Sequence, residues 1–188
     1  MYKKEFIEAF NITKSLGLES CSVTLDHPRL EKDVLSSIYS IIQQQLGQFN
    51  AEEISQRCFG ITLLLKEELE KCLDETFYYT LGYIELEQKP VFYTDLDHLK
   101  DYMVKGKNIA LNPSVNLHAW LTTSSGEIID ATLFTTLSVV QNKPEWLGHI
   151  IASTNESLTD LAYHPQIIGE NYLKKCGFMV DVELWEFS

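Results

Sequence analysis

The chain has 188 residues, of which 45% are hydrophobic and 22% charged. These are ordinary values for a globular protein and exclude a disordered or low-complexity chain. The sequence offers no basic patch beyond short Lys pairs, so nucleic acid and an anionic membrane surface are not expected partners. Its formal net charge of −12 suits a cationic or neutral partner better. With no apolar run of membrane-spanning length and no secretory signal at the start, we expect a cytoplasmic protein.

Helical periodicity predicts four helices in the first part of the chain. They cover 3–16, with Gly17 as a stop, then 29–47, 51–57 with Asn50 as the N-cap, and 58–73. The longer ones repeat apolar residues at three- and four-residue spacing, which is typical of helices with one buried face. Residues 18–28 are expected to be irregular.

Strands dominate the middle of the chain. Aromatic and β-branched residues predict a strand at 77–86. A three-residue turn that ends in glycine predicts a hairpin, with a short helix and a loop before it. The predicted helix covers 95–105, the loop 106–116, and the hairpin arms 117–123 and 127–133.

The last part of the chain is predicted to return to helix. Residues 156–163 and 165–176 are assigned as helices, with Gly177 as a stop, and a final strand begins at Phe178. Helices first, followed by antiparallel strands with helices between them, predict an α+β fold in a single domain.

The number and spacing of the cysteines limit the kinds of site that the chain can form. The four cysteines, at 21, 58, 72 and 176, are expected to be free thiols in a reducing compartment. There is no Cys-x-x-Cys pair, no close Cys/His cluster and no Gly-rich phosphate loop. We therefore predict neither a metal nor a cofactor.

Three residues can form a catalytic relay. Cys58 lies at the predicted start of a helix, where backbone N–H groups and the helix dipole favour a thiolate. His118 and Asp130 lie on the two hairpin arms and share a face if the register sum is even. The carboxylate would then orient the imidazole, whose second nitrogen could face the sulfur.

The residues around this triple resemble the transglutaminase-like branch of the papain-like cysteine enzymes. That family pattern is a helix-initial Cys, a Gly-Tyr strand, a His-Ala-Trp strand and an Asp-x-Thr strand. The matching residues are Cys58, Gly82-Tyr83, His118-Ala119-Trp120 and Asp130-Ala131-Thr132. The resemblance covers about residues 56–133.

The resemblance implies a fold and an activity. The expected core, about 50–135, packs the Cys-bearing helix on an antiparallel sheet, with a helical extension at 1–49 and a helix-strand extension at 136–188. The implied activity is thiol-dependent acyl transfer or amide hydrolysis on a peptide, protein or small amide. The twelve-residue spacing of His118 and Asp130 resembles bacterial members.

Alternatives remain open beside this interpretation. The family often has Gly two residues before the Cys, whereas Gln56-Arg57 precede Cys58 here. An inactive relative that binds peptides or proteins is therefore the second hypothesis.

Several further residues have two interpretations. Gln56 is either an oxyanion donor or a solvated helix residue, and Trp120 is either core or a wall beside the site. Thr132 is expected to be a packed strand residue. The other cysteines are expected to be structural, and residues 87–116 are either a flap over the site or a long connection.

Overall fold

The computed structural model of the chain describes residues 1–18, 22–105 and 116–179. Up to residue 105, the elements are α1 (Tyr2–Ser15), α2 (Lys32–Leu46), α3 (Ala51–Gln56), α4 (Cys58–Cys72), β1 (Phe77–Leu86), β2 (Lys89–Val91) and α5 (Leu96–Lys105). From residue 116 onward, they are β3 (His118–Thr123), β4 (Ile128–Asp130), α6 (Leu133–Gln141), β5 (Ile151–Ser153), β6 (Leu161–Ile168) and α7 (Asn171–Cys176). The predicted α+β class is confirmed.

The strands form one antiparallel sheet around β1. On one edge of β1, residues 77–82 pair with β3 and residues 84–86 pair with β2. On the other edge, residues 80–86 pair with β6. Strands β4 and β5 extend the sheet beyond β3. The hairpin from β1 to β2 turns through Glu87 and Gln88, both with positive φ, as a tight two-residue turn requires.

The helix predictions in the first part of the chain are confirmed. Asn50 caps α3 as predicted: its side chain accepts a bond of 3.0 Å from the Glu53 N–H, and the Glu53 carboxylate accepts one of 2.9 Å in return. Helix α4 begins at Cys58, as expected. Gly17 and Gly177, the predicted stops, both have a positive φ.

Two apolar clusters cover the two faces of the sheet. One packs α4 against β1 and β3, with α2 against α4, and its buried members include Ile42, Leu65, Leu81 and Leu121. The other packs α1 on the opposite face, with Tyr2 and Phe6 against residues such as Tyr78 and Trp120. Since side chains alternate along a strand, β1 and β3 supply both clusters at once.

The predicted second hairpin arm is too long. The strand ends at Asp130 rather than at residue 133, and α6 starts at Leu133. Thr132 is buried, as expected of a packed residue, but its assignment to a strand is wrong, because it is the residue that precedes the helix. A helix at this position was not predicted.

The predicted helix at 156–163 and the start of the helix at 165 are wrong. Residues 161–168 form β6, with side chains alternating between buried and half-buried. Helix α7 begins only at Asn171. Pro165 was assigned to the start of a helix, a place that proline favours, but it lies opposite Gly82, where the β1–β6 register shifts. Proline is tolerated in sheets at such irregularities, since it lacks an N–H.

Some predictions lie outside the described residues. They are the position of Cys21, most of the loop at 106–116 and the final strand beyond Met179. The division into a core and two extensions stays a prediction, although β5 and β6 belong to the same sheet as β1. No helix within the described ranges combines the length and apolar character of a membrane span.

Gly82 allows three strands to approach closely beside His118, its partner in the β1–β3 register. A Cβ placed on Gly82 would collide with the backbone carbonyl of His164 and lie 2.9 Å from the Trp120 ring. The backbone of β6 cannot move away without breaking its pairing with β1. This position therefore requires glycine for space.

We expect Gly82→Ala to lower the free energy of unfolding by about 1–3 kcal/mol, the usual cost of overpacking. Urea denaturation, monitored by tryptophan fluorescence, measures the change in the free energy of unfolding. Gly60→Ala in α4 is the matched control, because no described atom lies within 4 Å of its added Cβ. A Gly82→Ala protein as stable as the control would contradict the proposed close approach.

Candidate active site

The hairpin brings His118 and Asp130 together. Leu121 pairs with Ile129 and Thr122 with Ile128, so continuing this register places Asp130 opposite Trp120 and diagonal to His118. The two side chains share a face of the sheet, and His118 Nε2 lies 2.6 Å from Asp130 Oδ2. Both are about 1% exposed, which makes this a buried pair.

The Asp130 carboxylate receives hydrogen bonds from several other donors. Oδ1 accepts from the backbone N–H groups of Thr132 at 2.9 Å and Leu133 at 3.1 Å, where α6 begins, and from the Thr132 hydroxyl. Oδ2 accepts from the Tyr163 hydroxyl of β6 at 2.8 Å, in addition to its bond with His118. Every one of these bonds favours the ionised carboxylate.

Each member of the His118–Asp130 pair stabilises the charged form of the other. Burial opposes the charged imidazolium, but the charge and hydrogen bond of Asp130, together with Cys58, raise the pKa of His118 well above its usual value. Burial also opposes the ionised Asp130, but His118, the Thr132 N–H and Tyr163 hold the pKa of Asp130 below its usual range. An imidazolium beside a carboxylate is therefore the favoured state at neutral pH.

Two hydrogen bonds fix the first turn of α4 against the sheet. The Tyr79 hydroxyl of β1 donates to the carbonyl of Phe59 at 2.9 Å. The hydroxyl of Thr62, one turn after Cys58, donates to the Ala119 carbonyl of β3 at 3.3 Å. Since Phe59 and Ala119 each follow a predicted site residue, these bonds set the distance between the helix start and the strand start.

Cys58 lies beside the His118 ring, close enough to contribute to the raised pKa of the imidazole. Because Nε2 is bonded to Asp130, Nδ1 is the nitrogen left for the sulfur. The Cys58 side chain is half-buried, more accessible than the imidazole that it contacts. The structure thus brings the three residues of the predicted relay together in the order Cys58, His118, Asp130.

Aromatic rings flank the imidazole. The Phe92 ring stacks on His118 with centroids 5.3 Å apart and planes 22° apart. Trp120 lies at 6.2 Å with the same angle. Trp120 is fully buried, and its indole N–H donates to the Tyr2 hydroxyl at 2.7 Å. Trp120 is therefore a core residue that packs beside His118.

The remaining predicted residues contribute less to the geometry. Gln56 ends α3, two residues before Cys58, but its side chain is outside the described part of the structure. Cys72 is exposed and Cys176 is buried. No group of three or more His, Cys, Asp and Glu side chains within the described ranges is placed to hold a metal ion.

The sequence pattern does not identify Tyr163 or Tyr79 as residues of this site. Tyr163 was assigned to a helix, so nothing indicated that its hydroxyl would reach Asp130. Tyr79 was recognised as a strand residue, but its contact with α4 is a long-range one. Burial raises the pKa of Tyr163, and Asp130 raises it further, so this hydroxyl keeps the proton that it donates.

The chain matches no protein-family model, no curated protein and no solved structure. The chemistry of the site therefore rests on its geometry. A sulfur beside an imidazole that is bonded to a carboxylate is the arrangement in which a thiol nucleophile, a base and an orienting group act together.

Asp130→Asn tests the acceptor role of both oxygens. The new NH2 group must face either His118 and Tyr163 or the N–H groups of Thr132 and Leu133, and in the wild-type protein all of these groups donate to Asp130. We expect a loss of about 3–5 kcal/mol in the free energy of unfolding, the usual cost of breaking a buried ion pair. Urea denaturation at pH 6 measures it. Asp95→Asn, which alters an exposed Asp–His pair, is the control and should change little.

The stabilisation by this pair should depend on pH. The raised pKa of His118 makes its contribution complete below the unfolded value of about 6.5 and diminishing as the pH rises toward the folded value. The lowered pKa of Asp130 makes its contribution complete above about 3.9 and lost in acid. The stability difference between wild type and Asp130→Asn should therefore be larger at pH 5–6 than at pH 9, and a constant difference would contradict the ion pair.

Tyr163→Phe removes one donor to Asp130 and keeps the ring. Because the acceptor is charged, we expect a loss of about 1.5–3 kcal/mol in the free energy of unfolding. Tyr172→Phe is the matched control, since that buried hydroxyl donates to the neutral carbonyl of Leu99, and its loss should be about 0.5–1.5 kcal/mol. Equal losses in the two variants would show that the Asp130 charge is not felt by Tyr163.

Proposed function

We propose that this protein catalyses thiol-dependent acyl transfer or amide hydrolysis, with Cys58 as the nucleophile. The observation that carries the proposal is the position of His118, which is bonded to Asp130 through Nε2 and has Cys58 as a neighbour that helps to raise its pKa. An imidazolium held in this way favours a neighbouring thiolate, which is the reactive form of cysteine.

The first half of the proposed reaction forms a thioester. The Cys58 thiolate attacks the carbonyl carbon of an amide, and the electron pair of the C=O bond moves to oxygen. When the tetrahedral intermediate collapses, the C–N bond breaks and His118 gives its proton to the leaving amine. Asp130 keeps the imidazole in one tautomer and one orientation throughout.

The second half releases the acyl group. Water or an amine gives a proton to the now neutral His118 as it attacks the thioester carbonyl, and the C–S bond breaks to restore the Cys58 thiolate. Water yields hydrolysis, and an amine yields transamidation. The acceptor that reaches the acyl group decides between the two.

The start of α4 is the candidate oxyanion site. Among the described residues, no side chain caps this helix. First-turn N–H groups lack an acceptor within their own helix, and they carry the positive end of its dipole. We assign the backbone N–H of Cys58 as the donor to the developing oxyanion, and the Gln56 side chain remains a proposed second donor.

We also propose that the helix–sheet unit is a papain/transglutaminase-like core. In support, the helix that begins at Cys58 packs on an antiparallel sheet that carries His118 and Asp130 on a hairpin. The substrate class is a peptide, a protein or a small amide. The net charge of −12 favours a neutral or cationic one.

A second candidate function is a binding module without catalysis. The observation that favours it is burial: His118 is only 1% exposed. In that case the His118–Asp130 pair would be structural. The reactivity of Cys58 separates the two functions.

The pH dependence of Cys58 alkylation by iodoacetamide tests the proposed function. An isolated thiol is only about 0.3% ionised at pH 6, because its pKa is about 8.5. We expect wild-type Cys58 to react roughly ten- to a hundredfold faster than free cysteine at pH 6, and His118→Ala to lose this advantage. Mass spectrometry of the peptides reads each cysteine separately.

His164→Ala is the matched control, since His164 is also paired with a carboxylate, that of Glu5 at 3.0 Å. Exposed Cys72 serves as an internal reference. The His164→Ala protein should keep the fast reaction of Cys58. A wild-type rate at pH 6 equal to that of free cysteine, and unchanged in His118→Ala, would overturn the proposed function and favour the binding module.

A further inference from the structure

Phe92 has an unusual backbone for its size. Its φ is +58°, in the left-handed region that bulky residues rarely adopt. Residues in such conformations persist only where the surrounding structure fixes them, and they cluster at functional sites. Phe92 follows the end of β2 and lies within the segment 87–116, for which a flap was one of two predictions.

The surrounding structure fixes Phe92 from both sides. Val91, just before it, pairs with Ile84 of β1. The hydroxyl of Thr94, two residues after it, donates to the Asn116 carbonyl at 2.9 Å, and the backbone carbonyl of Thr94 accepts from the Gln166 side chain at 2.8 Å. The bend at Phe92 is therefore held between the sheet and the residues that precede β3.

This bend directs the ring onto the relay. Phe92 is half-buried and stacks on one face of His118, whereas its neighbour Tyr93 is 47% exposed. Cys58 is a neighbour of the same imidazole, since it contributes to the raised pKa of His118. Since Phe92 and Cys58 are both neighbours of this small ring, a molecule bound at the Cys58 sulfur would lie close to the Phe92 ring.

We propose that Phe92 is a specificity-determining residue: its ring covers the His118 imidazole and limits the width of the group that can reach the Cys58 sulfur. Slender, unbranched acyl groups and acceptors pass, and branched or fused-ring groups are excluded. The inference deepens the proposed function and rests on it for the role of Cys58.

The test compares a narrow and a wide thiol reagent. N-ethylmaleimide and fluorescein maleimide are reacted with the folded protein at pH 9, where thiols are mostly ionised without help from His118. Each Cys58 rate is divided by the rate of exposed Cys72 in the same molecule. This choice of pH keeps the test informative if the relay itself fails at pH 6.

We expect Phe92→Ala to raise the fluorescein maleimide rate at Cys58 roughly threefold or more, with little change for N-ethylmaleimide. Phe92→Leu, which keeps most of the bulk, should restore much of the selectivity. Gln88→Gly is the matched backbone control, because it relieves another left-handed residue, with φ of +62°, and leaves the Phe92 ring in place. It should behave as wild type.

Two results would overturn the inference. One is an equal change for both reagents in Phe92→Ala, which would mean that general loosening, and not ring width, governs access. The other is a larger effect in Gln88→Gly than in Phe92→Ala. Neither result bears on the pH 6 reactivity of Cys58, so the two proposals fail separately.

Discussion

The buried Asp130 carboxylate is the constraint that organises the centre of this fold. A charge without water must be matched by donors, and the donors to Asp130 come from three places: His118 of β3, Tyr163 of β6, and the Thr132 and Leu133 backbone at the start of α6. Each of these donors must keep its position, because an unpaired charge is costly in the protein interior. The site and the fold therefore stabilise each other.

Local rules explain what could be predicted from the sequence. The sum of the positions of His118 and Asp130 is even, as is that of the pair Leu121–Ile129, so a short hairpin puts both side chains on one face. The start of α4 at Cys58 follows from helical periodicity, and Asn50 caps the helix before it. The fold class followed from element order. These features depend on residues close in sequence.

Long-range contacts explain what could not be predicted. In β6, Pro165 was assigned to a helix start, but opposite Gly82 it occupies an irregular point of the sheet. Only the pairing with β1 reveals this, and no local pattern contains it. The same error concealed Tyr163. The strand assignment of Thr132 failed for the same reason. Its hydrogen bonds to Asp130 lie where β4 ends and α6 begins, and the residue pattern does not reveal them.

The order in which the strands are synthesised determines when Asp130 acquires the last of its donors. Cys58, His118 and Asp130 all leave the ribosome before Tyr163, whose strand pairs with residues of β1 far earlier in the chain. Pairing across such a sequence separation carries the entropic cost of closing a long loop. An incomplete chain lacks the donor that completes the hydrogen bonds of Asp130. The hydrogen bonds that hold Asp130 are therefore complete only after β6 has been synthesised and has paired with β1.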